Sequence, residues 1–171
     1  MVIGGLLEFI LGNTFPFVVF GTFGAFWLTY GATLTPYYNA SGAYSPTDPS
    51  AGGSDPAFMA TFAFFLLWMG VLCFVYLICS LRTNIVFFMI FLGLIPTFCC
   101  LAGSFWHGAQ GDAATALKLQ HAGGGFAFAV CLLGWYLFIV LLLAAVDFPL
   151  DLPVGDLSRV IKGASEKKKA S

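Results

Sequence analysis

Residues 57–81 read AFMATFAFFLLWMGVLCFVYLICSL, a run with no Asp, Glu, Lys, Arg or His. A helix rises about 1.5 Å per residue and a bilayer's hydrocarbon core is about 30 Å thick, so about 20 apolar residues cross it. The run suffices for one crossing and is too short for two crossings and a turn. It is continuously apolar, without the period-two alternation of a membrane β-barrel, so it reads as a helix. Outward from it the pattern recurs. No Asp, Glu, Lys or Arg falls between Glu8 and Asp48, between Thr83 and Gly111, or between Gln120 and Val146, the last run holding His121. Four complete transmembrane helices are expected, at about Phe15–Leu34, Ala57–Leu81, Ile85–Trp106 and Leu119–Val146. They make residues 13–148 an all-α integral membrane domain, followed by a tail at 149–171.

The composition agrees. Of 171 residues 60% are hydrophobic and only 9% charged, against about a quarter charged in an ordinary soluble domain. A monomeric water-soluble domain needs more polar surface than that, and a disordered chain far more. With a net charge of −1 and no basic patch, nucleic acid is excluded as a partner. The bilayer is the expected surrounding. Cys73, Cys79, Cys99, Cys100 and Cys131 are odd in number and lie inside apolar runs, where they read as small packing residues rather than as a disulfide framework. No spacing of Cys and His suggests a metal, and no cofactor is expected.

Met1–Leu11 is apolar but too short to span, and it lacks the basic start and cleavage site of a signal peptide. Residues 1–12 are read as the end of a transmembrane helix whose beginning is missing, a half-helix stub. The loop 36–56 carries Asp48 and Asp55 and no Lys or Arg, whereas Arg82 follows the third run and Arg159, Lys162, Lys167, Lys168 and Lys169 lie in the tail. The positive-inside rule puts Arg82 and the C-terminus in the cytoplasm and the 36–56 loop outside, with Lys118 the one basic residue on the other side. Asn39-Ala40-Ser41 is then a glycosylation sequon on the outer loop.

Few residues could carry chemistry. Glu8 is the only acid of the apolar N-terminal stretch. A carboxylate at membrane depth costs a few kcal/mol, so it marks either a functional site or an interfacial acid reaching water. Gly12-Asn13-Thr14-Phe15-Pro16 reads as a helix end and a new start: Gly12 terminates, Asn13 or Thr14 caps, Pro16 suits the first turn. Such a start could favour a small carboxylate, or be a plain polar turn. Phe23, Phe26, Trp27 and Tyr30 share one helical face, to line a constriction or to pack in lipid. Gly21, Gly24, Ala25 and Gly31, and Gly123, Gly124, Gly125, Ala127 and Ala129 later, predict close helix approach. His107 and His121 flank a link holding Asp112. His121 could relay protons or be an interfacial polar residue. Nothing resembles a nucleophile–base pair or a phosphate loop, and two histidines are few for a haem-type electron carrier, so an enzyme is not expected.

The segment Gly4-Gly5-Leu6-Leu7-Glu8-Phe9-Ile10-Leu11-Gly12-Asn13-Thr14-Phe15, the ending Phe26-Trp27-Leu28, the start Leu119-Gln120-His121-Ala122-Gly123-Gly124 and the end Val146-Asp147-Phe148-Pro149-Leu150 resemble the acetate uptake transporter family. That family includes the bacterial succinate–acetate permease and fungal plasma-membrane relatives, and the last helix looks like the fungal branch. The resemblance implies a homo-oligomer of six-helix protomers with both ends in the cytoplasm. Each protomer would pass acetate and similar short monocarboxylates, proton-linked in fungi, with some members linked to ammonium export. It implies pore or substrate roles for Glu8, Asn13, Thr14, Phe15, Phe23, Trp27 and Tyr30, and a further constriction at Phe91, Leu92 or Leu94. The family's Asn-Pro-Ala-Pro-Leu-Gly-Leu segment is absent. The chain is therefore expected to correspond to the last part of six helices and not to transport by itself. The alternative is a non-transporting membrane fragment or subunit.

Overall fold

The computed structural model describes residues 1–158 and 161. Among them are five helices: α1 (Val2–Ile10), α2 (Thr14–Leu34), α3 (Pro56–Ser80), α4 (Ile85–Ala109) and α5 (Ala113–Ala145). The last four are long and apolar enough to cross a membrane, and α1 has nine residues. The chain packs as two units, Met1–Met59 and the part from Ala60 onward.

In the first unit α1 and α2 form an antiparallel hairpin. Gly5 is the point of close approach: a Cβ there would stand 3.3 Å from the backbone of Phe17 and Gly21 and from Phe20. Val2 lies on Gly24 in the same way, while Gly21 and Gly31 have open space where a side chain would go. The expected small face is therefore used at Gly24 only among those glycines, with Val2 as its partner. Phe9 and Phe17 close the hairpin near its turn, with ring centres 5.0 Å apart. The 36–56 loop is built from three short 3-10 turns, two of which meet where Gly42 and Gly52 leave no room for a side chain.

In the second unit α3 buries Ala63, Leu66, Met69, Gly70, Cys73, Tyr76 and Ser80, a stripe recurring every three or four residues as one face of a helix requires. It meets α4 at Gly70, where a Cβ would stand 3.3 Å from Phe98, at the Tyr76–Phe91 rings, and where the Trp106 indole donates to the Ala60 carbonyl at 3.3 Å. Against α5, α4 lays Thr97 and Leu101 on Gly123, Gly103 beside Leu119, and Ser104 donating to the Ala116 carbonyl at 2.8 Å. Of the three adjacent glycines only Gly123 takes part in this contact, since nothing stands near Gly124 or Gly125. Pro96 sits inside α4 and brings no N–H to the ladder, and Thr97 next to it donates its hydroxyl to the Gly93 carbonyl.

α5 begins at Ala113, six residues before the sequence reading placed it. The Asp112 carboxylate accepts from the Thr115 N–H and starts the helix early, carrying the polar residues Lys118, Gln120 and His121 within it. At 33 residues it is about 50 Å long, more than a bilayer core, so its polar first turns need not lie in hydrocarbon. Beyond α5 the chain returns to the α3–α4 turn. Ile85 N–H donates to the carbonyls of Val154 and Gly155, Leu157 N–H to that of Thr83, and the Tyr136 hydroxyl to that of Pro153. The basic tail residues Arg159, Lys162, Lys167, Lys168 and Lys169 lie outside the described residues. Of the cysteines, Cys73 is buried and Cys79, Cys99 and Cys131 are exposed on their helices, as are Trp68, Phe74, Phe128, Trp135 and Leu141, surfaces suited to lipid or another apolar partner.

The Gly123 contact sets a test. Gly123→Leu must displace Leu101 and the Thr97 backbone, and is expected to cost about 1–3 kcal/mol. Gly124→Leu, in open space, is expected to leave the thermal midpoint in detergent unchanged.

Candidate functional site

The sharpest polar geometry in the first unit is the α1–α2 reversal. A helix that stops leaves its last carbonyls without partners, and within a membrane hairpin water is scarce. Here Leu11 caps α1 and Gly12 takes a φ of +82°, which glycine adopts without strain. The Gly12 N–H then donates to the Phe9 carbonyl at 3.0 Å and the Asn13 N–H to that of Glu8 at 2.9 Å. These are the two bonds of a Schellman motif. They bring the side chains of Glu8 and Asn13 to one place, and the Asn13 amide donates to the Glu8 carboxylate at 2.7 Å.

Asn13 thus stands in the N-cap position of α2 but makes no side-chain cap bond. Of the two capping candidates, Asn13 and Thr14, Asn13 takes the position without a side-chain cap bond, and its amide turns back to Glu8. A charge-assisted bond of this length outweighs a neutral cap. The half-buried Glu8 carboxylate is consequently held beside the start of α2, the end of a helix dipole that favours negative charge. Thr14 opens α2 exposed to solvent, and Phe15, Pro16 and Phe17 are half-buried after it.

Higher in α2, Phe23 and Phe26 are buried and Trp27 is exposed. Phe26, Trp27 and Tyr30 form a ring cluster, Phe26 stacked on Tyr30 at 6.1 Å and edge-on to Trp27 at 5.2 Å. The expected aromatic face is therefore present, divided between an inner part (Phe23, Phe26) and an outward one (Trp27).

On α4, the three constriction candidates differ. Phe91 is 1% exposed, packed against Tyr76 and Phe87 at 5.5 Å and 6.3 Å. Leu92 is exposed and Leu94 half-buried. Leu92 lines an apolar groove of about 440 Å³ between α4 and α5, with Met89, Gly93, Pro96, Phe126 and Val130. His121 is exposed on α5. Asn39 is exposed in the 36–56 loop at a φ of +50°, its amide oxygen lying over Gly42.

The pairing that sequence reasoning missed is at the α4–α5 reversal. His107 Nδ1 is shut off from solvent and has no aligned hydrogen bond, yet Asp112 Oδ2 stands 3.2 Å from it, an ion-pair distance when the imidazole is protonated. The Thr115 hydroxyl and backbone N–H hold the Asp112 carboxyl below its ordinary value, and His107 adds a smaller effect in the same direction. The available signal was the interval: His107 precedes Gly111-Asp112 as Glu8 precedes Gly12-Asn13.

A lowered carboxyl contributes stability that is present above its unfolded value, about 3.9, and is lost as pH falls through the folded value. The thermal midpoint is therefore expected to drop more steeply between pH 5 and about 3 in the wild type than in Asp112→Asn, where Asn still caps α5. Coincident profiles would contradict this.

Residues 1–159 match the GPR1/FUN34/yaaH family. The chain is 48% identical over 161 residues to the protein named alcS of Aspergillus fumigatus, covering 93% of this chain and 59% of that one. It is 30% identical over 154 residues to an acetate transporter protein patA of Aspergillus clavatus, covering 90% of this chain and 59% of the relative. It is 29% identical over 134 residues to ammonia transport outward protein 2 of Saccharomyces cerevisiae, covering 78% and 43%. The chain thus spans well under two thirds of the length of these relatives. No solved structure matches it.

Proposed function

Because this chain belongs to the GPR1/FUN34/yaaH family, we propose that it serves the transmembrane passage of acetate and other short monocarboxylates, not an enzymatic reaction. The observation that carries the reading is the Glu8–Asn13 bond at the α1–α2 reversal. It gives the apolar N-terminal hairpin one anchored acid beside a helix start. A carboxylate there could take up a proton together with a carboxylate solute, which is the economy of proton-linked uptake. In this reading Glu8, Asn13 and Thr14 form the polar mouth, and Phe15 stands next to it. Phe23, with Trp27 and Tyr30 on the same helix, narrows the way beyond and excludes larger solutes by size and dewetting. The α4 constriction falls on Phe91, Leu92 or Leu94, of which Phe91 packs against the Tyr76 and Phe87 rings.

The apolar surfaces of α3 and α5 support a multi-pass protein that associates with copies of itself, and the charge asymmetry of the loops supports a cytoplasmic C-terminus at the plasma membrane. A second reading, outward passage of ammonium-related solutes, is favoured by the relative named as an ammonia transport outward protein.

The test is saturable uptake of labelled acetate by vesicles holding the chain joined to the part of the patA relative that it does not span. Glu8→Gln is expected to lower it about ten-fold, the effect of losing roughly 1.5 kcal/mol from one charge-assisted bond. Uptake at the wild-type rate in Glu8→Gln, at equal protein, would make Glu8 a bystander. Methylammonium flux without acetate flux would favour the second reading.

A further inference from the structure

The two helix reversals are alike beyond their turns. At the second, Gln110 caps α4, Gly111 takes a φ of +80°, its N–H donates to the Gly108 carbonyl at 3.0 Å, and the Asp112 N–H donates to that of His107 at 2.9 Å. This is the same pair of Schellman bonds, and the next residue's backbone is the same too: Asn13 has φ −85° and ψ 75°, Asp112 φ −85° and ψ 73°. Each member of the second set stands ninety-nine residues after its counterpart: Glu8 and His107, Gly12 and Gly111, Asn13 and Asp112.

The same interval carries the helix packing. Gly5 approaches the Phe17 carbonyl, and Ser104 donates to the Ala116 carbonyl. Val2 lies on Gly24, and Leu101 lies on Gly123. Four independent contacts, two in the turn and two along the helices, therefore repeat in register.

Between the two reversals the chain runs through α2, α3 and α4, three helices of membrane length. Three crossings bring it to the opposite face. We propose that α1–α2 and α4–α5 are two inverted copies of one helical hairpin, and that His107 and Asp112 are positioning residues that do at one face what Glu8 and Asn13 do at the other. In each copy a side chain from the last turn of the first helix holds the residue that starts the second. The second copy differs in chemistry. An amide–carboxylate bond persists across neutral pH, whereas a histidine is the side chain whose ordinary titration falls between pH 5 and 8. The α5 entry is therefore tightened when the imidazole is protonated and loosened when it is neutral.

The charges around His107 are few. On its own helix there is no other charged side chain, because α4 from Ile85 to Ala109 lacks Asp, Glu, Lys and Arg. From α5 it faces Asp112; Lys118 and His121 are exposed and form no ion pair among the described residues. The part of α3 that meets α4 has no Asp, Glu, Lys, Arg or His, and its Cys73, Tyr76 and Cys79 lie more than about three turns beyond Ala60, which meets Trp106. The Thr115 hydroxyl and backbone N–H hold the Asp112 carboxyl below its ordinary value, so it faces His107 as a carboxylate.

As a mouth for the solute this second pair rests on the carboxylate-passage reading, but the pair itself can be tested without transport. Amide hydrogen exchange of the isotope-labelled chain in lipid nanodiscs reports on both reversals at once. Protection factors at Gly111 and Asp112 are expected to be about two- to five-fold higher at pH 5.5 than at pH 8, the range of a partly exposed ion pair, while those at Gly12 and Asn13 stay level. His107→Gln should abolish the difference. His107→Glu together with Asp112→Asn, which copies the first reversal into the second, should keep Gly111 protected at both pH values, whereas His107→Glu alone sets two carboxylates face to face and should lose protection. Level protection at Gly111 in the wild type, a pH dependence that survives His107→Gln, or a double variant no better protected than His107→Glu would each overturn the proposal. Acetate uptake by the chain joined to the part of the patA relative that it does not span is the separate readout: its absence would count against the carboxylate reading and leave the exchange result to decide the pair.

Discussion

Everything in this chain depends on reversing direction between apolar helices without leaving backbone groups unpaired. A reversal in or near hydrocarbon has a few residues in which to satisfy the last carbonyls of one helix and start the next. Gly12 and Gly111 do this with a positive φ and two backbone bonds each. The hairpins are narrow because of it. Narrow hairpins require small residues where the helices touch, and Gly5, Gly24 and Gly123 stand at those places.

The same reversals are where the polar side chains are anchored. With 9% of its residues charged, the protein places an acid, Glu8, and a histidine, His107, at the equivalent position four residues before the positive-φ glycine, and each meets a partner on the residue that starts the next helix. The aromatic side chains gather in two places, the Phe26–Tyr30 stack of α2 and the Phe87–Phe91 stack of α4.

How legible this was in the sequence follows from the kind of signal each part leaves. The membrane helices are visible because hydrocarbon demands long uncharged runs, and residues 57–81 show one directly. The Gly12 reversal was legible from its glycine, asparagine and proline. The true start of α5 was not, because Lys118, Gln120 and His121 look like a loop when hydropathy alone is read; the Asp112 cap bond that begins the helix is local chemistry. Which glycines serve packing was also hidden: Gly123, Gly124 and Gly125 are equivalent as letters, and only their angular position on α5 sets Gly123 against Leu101. The Asn13 side chain could have capped forward or turned back, and the presence of Glu8 one Schellman turn away decided it.

The most direct test of the account is the sidedness of the two reversals. In a background whose five cysteines are replaced by serine or alanine, single cysteines are placed at Leu11 and at Gln110, both exposed cap residues. They are then challenged with a membrane-impermeant thiol reagent on sealed cells and on opened ones. The account predicts that one is labelled in sealed cells and the other only after opening. Labelling of both from the same side would mean that α2, α3 and α4 do not each cross once, and the inverted relation of the two hairpins would fall.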